Sequence, residues 1–273
     1  MGDKVCFVMH GERLPWTRGS LTGAFHSVGV GLGALVRVHV SMSRLGYVVG
    51  GAETVVDALL DAVGPRGTVV MQTHTSENSD PAAWRNPPVP ESWWEAIREH
   101  TPPFRADLTP GRKMSAVSEH FRTRPGVVRS EHPSDSCAAL GPLAEVITCA
   151  HPLTPALGAG SPLARMVDHD VQVLLLGVDH GNNTLLHYAE HLAEWPGKRE
   201  SRFGSAMLVE GRREWVWRQD LVHDDRDFVE VGEAFAATGD ERLALPLRCC
   251  SGRALVAFAT QWFSARRHGP GWS

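Results

Sequence analysis

The chain lacks any apolar run that approaches the roughly 18 residues of a membrane-spanning candidate. Its start also lacks a basic leader and a small-residue cleavage site. Val5 to Met9 is apolar, but His10, Glu12 and Arg13 follow it, so no signal peptide is read and a cytoplasmic location is expected. Cysteine is sparse: Cys6, Cys137, Cys149, Cys249 and Cys250 make an odd count, with no C-x-x-C among them. That argues against a disulfide framework and against a structural zinc site. Basic residues are not in excess. The formal net charge of −4 speaks against a general nucleic-acid binder, which needs a basic face. No internal repeat is present.

What remains is an ordinary globular composition, 42% hydrophobic and 21% charged over 273 residues. Such a length holds one large α/β domain or two small ones. Composition nowhere breaks sharply, so one domain is expected. Val36 to Val40 alternates as a strand does. Ser41 to Gly51 reads as a polar, glycine-bearing loop. Glu53 to Val63 sets Val55, Val56, Leu59, Leu60 and Val63 at helical spacing, and Gly64-Pro65 ends it. Thr68 to Gln72 reads as a second strand, giving a βαβ unit of a layered α/β protein. Ser76 to Pro110 is a proline-rich surface excursion with a short helix over Glu91 to Glu99. Its Trp84, Trp93 and Trp94 either line a pocket or pack the loop onto the core. Val171 to Val178 reads as a buried central strand. A turn at Asp179 to Asn183 leads to a helix from Thr184 to about Trp195. A strand at Ala206 to Val209 and a helix at Ala254 to Arg267 complete the pattern.

The stretch from Gly177 to Glu194 carries the chemistry. Ligands of open α/β sheets gather beyond the carboxyl ends of strands. On the helix that follows, Leu185, Leu186, Ala189 and Leu192 form the expected buried stripe, while His187, Glu190, His191 and Glu194 share the other face. An imidazole and a carboxylate three residues apart can touch, and the carboxylate can orient the ring as a general base. Two other readings stay open from this stretch alone. The helix could be a plain amphipathic surface helix. His187 to His191 also matches H-x-x-E-H, the inverted zinc-peptidase pattern, although no third ligand stands out.

Several blocks then fit one pattern. His39-Val40-Ser41-Met42-Ser43-Arg44-Leu45-Gly46 resembles an H-x-S-[LMF]-x-x-x-G segment. Gly50 to Val55 and Gly67 to Thr73 follow it in order. Arg129-Ser130-Glu131-His132-Pro133 with Ser136 resembles R-S-x-H-P-x-x-S, and Ser161 to Arg165 resembles S-P-x-x-[RK]. Leu175 to Glu190 resembles L-L-G-x-x-x-x-x-x-T-x-x-H-x-A-E. In joint order and spacing, from about Leu21 to Arg267, the chain resembles the aminoglycoside 3-N-acetyltransferases. Residues 1–20 match poorly and 21–273 form the domain. Ala34, Gln72 and Asp135 depart from residues common in the family.

The resemblance implies a single-domain α/β/α layered sandwich around a central mixed sheet, distinct from the GNAT fold. It implies acetyl transfer from acetyl-CoA to the 3-amino group of a 2-deoxystreptamine aminoglycoside, with no metal, no membrane or nucleic-acid partner, and a monomer or homodimer. His187 is then the catalytic base, with Glu190 orienting it. His39, Ser41, Met42, Ser43, Arg44, Thr73 and Ser115 fall on the coenzyme A side. His74, Asp80, His180, Asp224 and Asp225 fall on the acceptor side. A main-chain N–H near Thr73 or Ser115 is the candidate oxyanion donor. His132 reads as a structural or pocket-wall histidine. Cys137, the one cysteine near a matching block, is the sole candidate acyl carrier, and direct attack in a ternary complex needs none. Asp220 to Glu241 holds eight carboxylates against one arginine, by default a solvated acidic face.

Overall fold

The computed structural model describes residues 14–111 and 114–268. Cys6, the reading of the leader and most of the poorly matched N-terminal segment lie outside the described residues. The seam expected at residue 21 falls inside the first helix, Arg18–Ser27.

Nine strands are described: β1 Leu35–Val40, β2 Thr68–Gln72, β3 Val128–Arg129, β4 Cys137–Leu140, β5 Gln172–Leu176, β6 Glu200–Val209, β7 Arg212–Leu221, β8 Glu241–Ala244 and β9 Leu247–Ser251. Seven of them form one mixed sheet in the order β3-β4-β2-β1-β5-β9-β8. The parallel trio β2-β1-β5 lies at its centre, with Val38 opposite Met71 and Leu174. Antiparallel pairs flank it on both sides. No helix among the described residues is long and apolar enough to cross a membrane.

Alternation along the central strands separates two apolar layers. Val36, Val38, Val69, Met71, Leu174 and Leu176 face one layer, which the helices Arg18–Ser27, Gly51–Val63 and Ala116–Arg122 cover. Val55, Val56, Leu59 and Val63 of the second helix are at most 1% exposed. Burial of each such side chain stabilises the fold by about 1.5–3 kcal/mol. Leu35, Val70, Val173 and Leu175 face the other layer. There the helices Pro162–Asp168, Leu185–Leu192, Phe228–Ala236 and Gly252–Arg266 pack. By the same alternation Arg37, His39 and Gln72 point toward this second layer. The polar side of β1 is therefore not solvent-facing: Arg37 is wholly buried.

Four sequence expectations change. The Ser41–Gly51 loop contains a short helix, Met42–Leu45. Ala206–Val209 is not part of the central sheet. It ends β6, which pairs only with β7 in a separate two-stranded ribbon. A ribbon alternates apolar and polar residues as a sheet strand does, so the pattern could not tell them apart. Leu192, expected in the buried stripe, is 47% exposed, while Glu190 is wholly buried. The acidic run is partly internal too, since Asp220 and Asp227 are each 6% exposed. The excursion over residues 76–110 rests on the ribbon, with Arg98 stacked over Trp217 at 5.5 Å. Trp93 remains exposed.

One glycine fixes the seat of the Ser41–Leu45 segment. Gly177, just past β5, has φ +64, and a Cβ there would lie 2.7 Å from Leu45 N and 2.9 Å from Arg44 C. Both are backbone atoms that no rotamer change can move. Gly177→Ala is expected to destabilise the protein by about 2 kcal/mol, the left-handed backbone alone accounting for 1–2. Denaturant midpoints measure this, and an unchanged midpoint would show that the segment yields freely.

Candidate active site

The helix Leu185–Leu192 starts where β5 and its following turn deliver the chain. Asn183 Oδ1 accepts the Leu185 N–H at 3.1 Å, which satisfies one free donor of the first turn. The register then brings His187 and Glu190 together: Nδ1 lies 2.5 Å from Glu190 Oε2. A carboxylate can only accept, so Nδ1 carries the proton and Nε2 keeps its lone pair. The ring is 18% exposed and the carboxylate 0%.

An ionised carboxylate is tolerated there because its other oxygen is also occupied. Glu190 Oε1 accepts from Arg267 Nη1 at 2.6 Å and from the Asp224 N–H at 3.0 Å. Arg267 is itself wholly buried. It bonds Asp227 at 2.6 Å and the Asp224 carbonyl at 2.9 Å. Its guanidinium lies 3.9 Å from the Phe263 ring centre and 4.9 Å from that of Trp195. Arg267 and Asp227 were not singled out from sequence. At the end of a helix an arginine reads as a common dipole-favoured residue, and nothing local marks it as the partner of Glu190.

Further histidines lie beside the pair and at the ends of the neighbouring strands. The His223 ring is 4.6 Å from that of His187, and its Nε2 meets His191 Nε2 at 3.0 Å. Burial, reinforced by His187 and His191, pushes the His223 imidazolium down to about 2. His74, at the end of β2, lies 3.9 Å from Asp135. Burial lowers it to about 4 despite that carboxylate. His39, at the end of β1, is held well below the usual histidine range by burial, then by Arg37 beside it. His132 accepts the Asp135 N–H at 2.8 Å and is buried, as a structural histidine should be.

The other expected site residues fall as follows. Ser41, Met42, Ser43 and Arg44 form the rim beyond β1. Ser41 and Ser43 hydroxyls lie 3.1 Å apart, Met42 packs partly on the core, and Arg44 is exposed with no ion pair among the described residues. Thr73 is buried. Its hydroxyl meets Ser136 and Arg129, and its N–H is bonded to the Ser136 carbonyl at 3.0 Å, so that N–H is not free to hold an oxyanion. Ser115 caps the helix Ala116–Arg122. Asp80 is bound by Arg98 at 2.7 Å. His180 is buried, bonded to Glu241 at 2.8 Å and edge-on to Phe235. Asp224 reaches the pair through its main chain, while its carboxylate is held by Arg226 at 2.6 Å. Asp225 is exposed. Cys137 lies buried in β4, where burial raises its thiol above the usual range, which does not favour a thiolate carrier.

His187, Glu190 and His223 offer ligand atoms within 4.8 Å of one another. The inverted zinc pattern needs both histidines of H-x-x-E-H on one ion, yet His191 turns its Nε2 to His223 instead. Arg267 already places a positive charge on Glu190.

The histidine–carboxylate pair stands on the helix that follows β5 in the chain. A family model for aminoglycoside 3-N-acetyltransferase matches residues 38–264, which places the protein in the class of N-acetyltransferases. The SPbeta prophage-derived aminoglycoside N(3')-acetyltransferase-like protein YokD of Bacillus subtilis is 38% identical over 94% of this chain and 95% of its own. Its crystal structure has a TM-score of 0.90, covering 93% of this chain and 95% of that one. A structure of AAC-IIIb binary with CoASH has a TM-score of 0.83 at 32% identity, covering 94% and 99%. AAC-VIa bound to sisomicin has a TM-score of 0.82 at 29% identity, covering 93% and 99%. The chain belongs to the aminoglycoside 3-N-acetyltransferase family.

The buried histidines set an acid limit on stability. An unfolded histidine takes a proton at about pH 6.5, whereas burial lowers folded His74 to about 4 and His223 to about 2. Unfolding therefore takes up protons as pH falls below the unfolded value. Stability present above it is lost, by about 1.4 kcal/mol per pH unit for each such histidine. Thermal midpoints should fall from pH 6.5 to 4.5, before unfolded carboxylates titrate, and His223→Gln should flatten the slope. Equal slopes in both proteins would contradict the burial of a neutral His223.

Proposed function

We propose that the protein transfers acetyl from acetyl-CoA to the 3-amino group of a 2-deoxystreptamine aminoglycoside by direct attack in a ternary complex. The observation that carries this reading is the 2.5 Å contact between His187 Nδ1 and a fully buried Glu190 in a chain of this family. An aliphatic ammonium cannot attack a thioester; its free base can. His187 Nε2 takes the proton of the attacking amine as the new N–C bond forms. Glu190 holds the ring in the required tautomer and faces the imidazolium charge that develops, as a carboxylate does behind other histidine bases. The carbonyl electron pair moves to oxygen and returns as the C–S bond breaks. The imidazolium then returns a proton to the departing thiolate. The products are the amide and free coenzyme A.

Coenzyme A fits the rim at the end of β1. Arg44, exposed and without a carboxylate partner among the described residues, suits a phosphate, and Ser41 and Ser43 offer hydroxyls to the pantetheine arm. On the acceptor side, Asp225 has an exposed carboxylate for an ammonium group, whereas those of Asp80 and Asp224 are engaged by Arg98 and Arg226. Solved relatives bound to CoASH and to sisomicin support the two ligand classes.

The test is acetyl-CoA turnover against a panel of aminoglycosides and simple amines, with and without EDTA. Turnover should favour 2-deoxystreptamine compounds and ignore the chelator. His187→Ala should lower kcat by about 10²–10⁴-fold while coenzyme A binding persists. Near-normal kcat in that variant would assign the base to another group. Loss of activity in EDTA with rescue by zinc would restore the metal reading.

A further inference from the structure

Attack on a thioester leaves negative charge on the carbonyl oxygen, and that charge needs donors already in place. Resting on the acyl-transfer reading, we propose that the His39 Nδ1–H and the main-chain N–H of His74 together form the oxyanion hole of this site.

The tautomer of His39 follows from its neighbour. Arg37 Nε lies 3.3 Å from His39 Nε2. A guanidinium can only donate, so His39 Nε2 is the acceptor and carries no proton. A neutral ring then has its proton on Nδ1. Burial beside the Arg37 cation keeps the ring neutral. Arg37, in turn, is wholly buried and has the Gln72 Oε1 and Met166 Sδ as further partners, with no carboxylate among them. It can neither lose its role as donor nor swing out. Nδ1 has no partner among the described residues, and it is not one of the sealed polar atoms, so it keeps access to solvent.

The second donor follows from strand geometry. The N–H groups of Thr73 and Thr75 both point to the β4 side, bonding the Ser136 and Ser134 carbonyls at 3.0 Å each. Successive N–H groups of an extended chain point to opposite edges, so that of His74 points toward β1. It meets no partner among the described residues. Val38 pairs with Met71, so His39 and His74 end neighbouring parallel strands. Alternation places both side chains on the face that the His187 helix covers, and the His187 charge is among those that act on the His74 ring. In the proposed arrangement the His39 ring N–H, the His74 main-chain N–H beside the end of β1, and the base stand around one cleft. Two N–H groups there would hold the thioester oxygen while His187 Nε2 takes the amine proton, and release it when the C–S bond breaks and the thiolate is protonated. Atoms and charge balance with no further reactant.

Two measurements decide it. In wild-type protein, nitrogen-15 NMR of the histidine rings should show His39 neutral with its proton on Nδ1 near pH 7. This needs no variant to fold. An Nε2–H tautomer or an imidazolium would overturn the proposal. In kinetics, His39→Leu should lower kcat by about 10²–10³-fold, the usual effect of losing one oxyanion donor. Calorimetric affinity for coenzyme A, on whose side His39 was expected, should fall by a much smaller factor than kcat. His39→Asn, whose amide nitrogen lies close to the Nδ1 position, should recover about tenfold of the loss. A kcat for His39→Leu within threefold of wild type, or a loss confined to coenzyme A affinity, would overturn the oxyanion role while wild-type turnover still upheld the acyl-transfer reading. A wild-type protein that turns over acetyl-CoA with no amine would overturn both.

Discussion

The site depends on one buried charge pair, Glu190 with Arg267. Taking either ion out of water costs several kcal/mol, and only close partners offset it. Here the partners are close and numerous. Glu190 has His187, Arg267 and the Asp224 N–H on its two oxygens, and Arg267 has Glu190, Asp227 and the Asp224 carbonyl. The network joins the His187 helix, the loop after β7 and the end of the helix Gly252–Arg266. Those elements are distant in sequence, so the histidine is positioned by tertiary structure and not by its own helix alone. Phe263 and Trp195 cover the guanidinium and keep the pair dry, which strengthens each contact.

Around that charged anchor the histidines are neutral. Burial holds His39, His74 and His223 in the uncharged form. A neutral ring has one donor and one acceptor, and its neighbours decide which nitrogen is which. Glu190 sets His187 with a free Nε2, the tautomer of a base. Arg37 sets His39 with a free Nδ1–H, the tautomer of a donor. Two identical side chains, one on a helix and one on the sheet beneath it, are thus set in opposite tautomers, one by an acceptor behind it and the other by a cation behind it.

Much of this was legible in the sequence, for physical reasons. The 3.6-residue period of the helix over Gly51–Val63 is strong because that helix buries one side, and the apolar runs of β2 and β5 are strong because these strands are buried on both faces. The three-residue spacing of His187 and Glu190 predicts their contact directly. Spacing could not show that Glu190 is buried: a carboxylate reads as a surface residue until its partner is known, and Arg267 lies 77 residues away. The same blindness made Leu192 look internal and the acidic run look solvated, although Asp227 and Asp220 each serve as internal acceptors. Local pattern also could not place β6 in its ribbon, or show that His180 turns to Glu241, since both outcomes depend on chain brought back from elsewhere.

The central claim is that Arg267 and Glu190 act as one unit that holds the base. A double-mutant cycle with Arg267→Met and Glu190→Gln, read in both unfolding free energy and kcat, tests it most directly. Arg267→Met alone leaves Glu190 buried and short of its main partner, and should cost about 3–5 kcal/mol of stability. Adding Glu190→Gln should recover part of that cost, with a coupling of about 2 kcal/mol, and should lower kcat little beyond the single variants. Stabilities that add to within about 0.5 kcal/mol, with Arg267→Met retaining wild-type kcat, would contradict the account.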